Sequence, residues 1–135
     1  MFLTKECDYG IRIIRALADG QKKTAEEICD IEDIPGQFAY KILKKMERGG
    51  FLQSCRGRDG GYWLVKSLDE ITIHDVITTI DEYLFLNECL RSDRPCTRNP
   101  KSSPCPIHGE LVRIQARLVD ELRQKSLREV VVSKA

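Results

Sequence analysis

The stretch from Pro35 to Leu64, PGQFAYKILKKMERGGFLQSCRGRDGGYWL, constrains the fold more than any other part of the chain. In its first half Phe38, Ala39, Ile42, Leu43 and Met46 recur at the helical period and predict one apolar stripe. Gln37, Tyr40, Lys41, Lys44 and Arg48 fall on the opposite face. Pro35 suits a first helical turn, where its missing N–H costs nothing, and Gly49-Gly50 supplies a left-handed stop. Two strands are then expected, Phe51 to Cys55 and Gly61 to Val65, joined by Arg56-Gly57-Arg58-Asp59-Gly60. A basic helix followed at once by a hairpin with a basic tip is the arrangement by which a winged helix-turn-helix holds duplex DNA.

Charge supports this locally. Between Gln37 and Lys66 lie Lys41, Lys44, Lys45, Arg48, Arg56, Arg58 and Lys66, against only Glu47 and Asp59. The whole chain carries a net charge of +1, so positive charge is concentrated in this stretch. A solvated basic helix with an ordinary hairpin is the bland alternative. The glycine-rich basic tip favours DNA, with Gln37, Tyr40 and Lys41 toward base edges and Lys44 and Arg48 toward phosphates.

Upstream, Tyr9, Ile13, Ile14 and Leu17 predict a helix from about Lys5 to Ala18. Thr24-Ala25-Glu26-Glu27 reads as a capping box opening a short second helix, with Ala25, Ile28 and Cys29 inward. Downstream, Thr72 and Asp75 open a further helix with Ile73, Val76, Ile77 and Ile80 on its apolar side, with a continuation or restart expected through Tyr83 to Leu86. His74 reads as local structure and Trp63 as packing. From Ile107, Leu111, Ile114, Leu118 and Leu122 repeat at spacings near a coiled-coil seam, which predicts a long helix paired with its twin in a homodimer. The expected organisation is a winged domain with its packing helix over 1–82, a cysteine-containing loop over 83–106, a dimerisation helix over 107–127 and a flexible tail over 128–135. The fold class is mainly α with one small β-hairpin.

No apolar run is long enough for a membrane span, and Met1-Phe2-Leu3-Thr4-Lys5-Glu6 has no signal-peptide pattern. A cytoplasmic protein is expected, in which the six cysteines stay reduced. No phosphate loop, nucleophile elbow or His-Glu-x-x-His motif is present, so no enzyme is expected.

Three of the cysteines, Cys89, Cys96 and Cys105, fall in a proline-broken loop, and His108 closely follows the third. Three thiolates and an imidazole make a four-ligand set, and soft thiolates select zinc, Cu(I) or iron–sulfur clusters. Structural zinc sites pair cysteines closely, whereas these are widely spaced, which suits a cluster better while leaving zinc open. Cys29 reads as a small hydrophobe, Cys55 as a wing residue, and Cys7 as a spare ligand.

The motifs Ile34-Pro35, Lys41-Ile42-Leu43 and, above all, Ser54-Cys55-Arg56-Gly57-Arg58-Asp59-Gly60-Gly61-Tyr62 resemble the IscR-like and NsrR-like winged-helix iron–sulfur transcription regulators. The resemblance runs from Leu3 to about Leu122. It implies a dimeric DNA-binding regulator responding to redox state, nitric oxide or iron–sulfur supply. It implies Cys89, Cys96 and Cys105 as ligands of a [2Fe–2S] or [4Fe–4S] cluster. It offers two fourth ligands: His108, as in IscR-like proteins, or Asp8 from across the dimer, as in NsrR-like ones. It also implies Arg56 as a minor-groove residue, with Arg58 toward phosphate. Cluster-free relatives controlled by a metabolic-enzyme partner or by thiol oxidation, and a zinc-stabilised protein, remain alternatives.

Overall fold

A computed structural model describes residues 3–81 and 84–132. Six α-helices and one hairpin follow in order: α1 (Lys5–Ala16), α2 (Ala25–Glu32), α3 (Gly36–Arg48), β1 (Leu52–Cys55), β2 (Gly61–Leu64), α4 (Ile73–Ile80), α5 (Pro106–Gln124) and α6 (Leu127–Val132). The expected mainly α architecture with a small hairpin is met.

Helices α1, α2 and α4 each begin where a threonine hydroxyl satisfies an early amide. Thr4 accepts from the Cys7 amide, Thr24 from that of Glu27, and Thr72 forms a full reciprocal box with Asp75. Asp33, with φ of 53°, ends α2 in the left-handed region and turns the chain into α3. Pro35 stands one place earlier than expected, at the N-cap of α3. At the far end of α3 the left-handed residue is Gly50, with φ of 83°. The Phe51 amide bonds to the Met46 carbonyl and that of Gly50 to Glu47, so the orphan carbonyls are satisfied as the chain enters β1.

One core joins these elements. Ile13, Ile14 and Leu17 of α1, Ile28 of α2, Ile42, Leu43 and Met46 of α3, and Val76 and Ile77 of α4 are buried with Phe51 and Leu52. Truncating Leu43 to alanine at its centre would cost about 2–5 kcal/mol. Phe38 departs from the expected stripe: it lies at the stripe's edge, 39% exposed, its ring 6.0 Å from that of Tyr9. Cys7 also departs. It is fully buried, its thiol facing the Ile77 carbonyl, and burial pushes its pKa up, so it is a core residue and not a spare ligand. Cys29 is half-buried.

The hairpin pairs Leu52 with Leu64 through to Cys55 with Gly61. Lys23 and Tyr62 exchange two backbone hydrogen bonds, at 3.0 and 2.7 Å, which pin the hairpin to the segment before α2. That contact demands Gly61, because a Cβ there would stand 2.8 Å from the Lys23 carbonyl oxygen at a φ of 154°.

The expected restart after α4 lies partly outside the described residues; 84–86 are not helical. Of the expected flexible tail, 128–132 is helical and the remainder lies outside the described residues. Ser126 accepts from the Glu129 amide and Glu129 accepts from the Ser126 amide, a reciprocal cap that opens α6. Leu127 is fully buried, its amide bonded to the Ile71 carbonyl at 2.7 Å, and Arg128 pairs with Asp69 at 2.8 Å.

Candidate DNA interface and cysteine loop

The core-facing side of α3 is consumed by Ala39, Ile42, Leu43 and Met46, so its other face must look outward. Gln37, Tyr40, Lys41, Lys44 and Arg48 are all exposed there, Tyr40 to 59%. The hairpin adds Arg56 and Arg58, also exposed. Among the described residues neither arginine is ion-paired, so Asp59 does not neutralise Arg56. The tip closes through the Gly60 amide on the Gly57 carbonyl at 3.0 Å. Glu47 is turned to the hairpin, where it accepts from the Ser54 hydroxyl at 2.6 Å. A cationic helix face and a cationic tip thus share one side, a surface suited to a polyanion.

Lys41 is the exception within this set. Its ammonium donates to Glu6 of α1 at 3.0 Å, and Lys45 donates to the other oxygen of Glu6 at 3.2 Å. The lysines, Lys41 foremost, hold the Glu6 carboxyl below the usual carboxylate range. No local sequence signal ties position 6 to position 41, which is why Glu6 escaped the sequence analysis.

The cysteine loop leans on α5. The Leu86 amide donates to the Gln115 side chain at 2.9 Å, and a 3-10 turn at Glu88–Leu90 carries Cys89. Asn87 Nδ2 lies 3.3 Å from the Cys89 sulfur. Asn99 bonds through its amide to the Cys96 carbonyl and through its side chain to the Cys105 amide, at 3.1 and 2.8 Å. One asparagine therefore links the Cys96 turn to the N-cap of α5. His108 follows one turn on, and its Nδ1 is buried without a hydrogen-bond partner. Cys89, Cys96 and Cys105 are free thiols, each half-buried.

The donor set suits a soft metal or an iron–sulfur cluster, and the buried His108 Nδ1, without a hydrogen-bond partner three residues after Cys105, fits a ligand role. The chain does not bring all the donors together: among the described residues no three His, Cys, Asp or Glu side chains stand as a metal site. Asp8 sits apart on α1, paired with Arg12 at 2.9 Å.

Comparison with known proteins decides the family. The model of the Rrf2 family, described as iron-dependent transcriptional regulators, matches residues 3–133. The chain belongs to the Rrf2 family. It is thus a DNA-binding transcriptional regulator, and the expected likeness to IscR-like and NsrR-like proteins holds. The HTH-type transcriptional regulator NsrR of Shouchella clausii is 28% identical over 137 residues, 98% of this chain and 90% of that protein. The solved structure of CymR, the global cysteine regulator of B. subtilis, superposes with a TM-score of 0.76 at 20% identity, covering 100% of this chain and 99% of that one. The IscR of T. potens superposes with a TM-score of 0.74 at 14% identity, covering 98% and 87%. These two structures share the winged-helix fold with this Rrf2 member. No helix among the described residues is long and apolar enough to cross a membrane.

Proposed function

We propose that this Rrf2 regulator works in the cytoplasm as a homodimer, gripping duplex DNA with α3 and the wing of each subunit. Its affinity is set by an iron–sulfur cluster held by Cys89, Cys96, Cys105 and His108. The observation that carries the DNA half is the pair of exposed, charge-unpaired wing arginines beside the exposed face of α3. Gln37 and Tyr40 then read base edges, while Lys44 and Arg48 bond phosphates. The observation that carries the sensing half is the orphaned His108 Nδ1 next to Cys105. It favours His108 over Asp8, whose carboxylate is already paired with Arg12. A bound cluster would supply iron–thiolate bonds open to attack by oxidants or nitric oxide. The chain's own part is to present soft donors at the N-terminus of α5, so that loss of those bonds alters the helix that spaces the two wings.

Anaerobic purification tests this. The expected protein is brown with visible absorbance. Cys89→Ala, Cys96→Ala and Cys105→Ala should each weaken or abolish the colour, whereas Cys29→Ala should keep it. His108→Ala, compared with Asp8→Ala, should give the larger loss. A colourless protein with stoichiometric zinc would replace the cluster by a structural metal. A colourless, metal-free protein would point to thiol oxidation or a protein partner as the signal.

A further inference from the structure

The cations of α3 do not stand equally free. Lys45 is held by two acceptors, Glu6 and the Ile80 carbonyl, the latter at 3.0 Å, and its side chain is 33% exposed. It is a structural bridge between α1, α3 and α4. Lys41 has one charged partner, Glu6, and its side chain is 61% exposed. Glu6 itself is 30% exposed and sits in the first turn of α1, where the helix dipole favours its negative charge. Lys41 is therefore tethered at the edge of the face that meets DNA by a bond that a phosphate oxygen can replace.

We propose that Glu6 withholds Lys41 from the DNA backbone, lowering sequence-independent affinity; it is a positioning residue that acts through Lys41. The inference rests on the DNA-binding reading of α3. A solvated ion pair of this kind is weak, so it does not lock the lysine away; it sets a small competing term. Non-specific binding is almost wholly phosphate attraction, and one ammonium diverted to a carboxylate is one fewer counterion released. Base contacts by Gln37 and Tyr40 do not depend on the exchange. The diverted lysine thus weakens binding to random DNA without removing a base contact.

The experiment uses the full chain and a mixed-sequence DNA duplex, with affinity measured across a salt series. Glu6→Gln should bind about 2- to 5-fold more tightly at low salt, and its log–log salt slope should steepen by a fraction of the ~0.9 that one complete phosphate contact contributes. In a Lys41→Ala background the same change should do neither. Should Glu6→Gln unfold early, Glu6→Ala replaces it, with thermal melts reported beside each affinity. An unchanged slope, weaker binding by a folded variant, or an equal gain in the Lys41→Ala background overturns the role of Glu6. Failure of the unaltered protein to bind the duplex even at low salt overturns instead the DNA-binding reading, and this inference with it.

Discussion

At the scale of single residues, two exposed arginines mark the wing. Arg56 leaves β1 at the start of the tip and Arg58 lies within it; both are exposed and neither is ion-paired among the described residues. A narrow A·T-rich minor groove concentrates negative potential and favours an inserted arginine. Arg56→Ala should therefore weaken DNA binding and relax a preference for A·T pairs flanking the helix contacts. Arg58→Ala should weaken binding with that preference intact. Affinities for A·T-rich and G·C-rich flanks at one fixed salt concentration separate the two; identical ratios for both variants would remove Arg56 from the groove. Periodicity identified Ile42, Leu43 and Met46 as core because they sit at the centre of the apolar stripe. It failed for Phe38, which sits at the edge and meets Tyr9 from another helix, a contact that local spacing does not encode. Cys7 failed for the same reason: what buries it is α4, seventy positions on in its bond to Ile77.

Elements hold their positions through contacts that a local reading captures only when a capping pattern is present. Thr72 with Asp75 was legible, and α4 starts there. Ser126-Leu127-Arg128-Glu129 has the same form and opens α6, but lies beside the terminal segment where fraying is the usual expectation. The packing of α5 on α4 carries a titratable contact. Arg123 Nε donates to His74 Nδ1 at 3.4 Å, and burial, then the Arg123 charge, pushes the His74 pKa below its ordinary value. The folded chain thus prefers neutral imidazole, while the unfolded chain protonates at the ordinary value. The stabilisation is present above that value and is lost as pH falls toward the lowered one. The melting temperature should drop more steeply between about pH 7 and pH 5 in the unaltered protein than in His74→Gln. Parallel pH curves for the two would show that His74 is not linked to folding.

At the scale of the whole molecule, α5 is the unsolved part of a single chain. It runs for 19 residues without one buried side chain. Its seam is also divided: Leu122 packs against the chain's own core, while Ile107 and Ile114 are 69% and 40% exposed. Ile114 and Leu118 line an open cleft with Arg113, Arg117 and Glu121, where apolar centre and mixed-charge rim suit a self-complementary contact. A two-fold axis across this face would pair each helix with its twin and fix the separation of the two wings. The cysteine loop is attached to the same helix, through Cys105 at its N-cap and Gln115 on the Leu86 amide, so in such a dimer a change in the loop would bear directly on that separation. Ile114→Asp buries no charge in the single chain, so the monomer should keep its fold. In a dimer it would place two carboxylates in the apolar centre. The expected outcome is a folded monomer by light scattering. Its affinity for a DNA with two half-sites should fall by about 10²–10⁴, because the second winged domain no longer arrives tethered to the first. A variant that stays dimeric, or one that loses affinity equally for a single half-site, would place the partner contact on a different face.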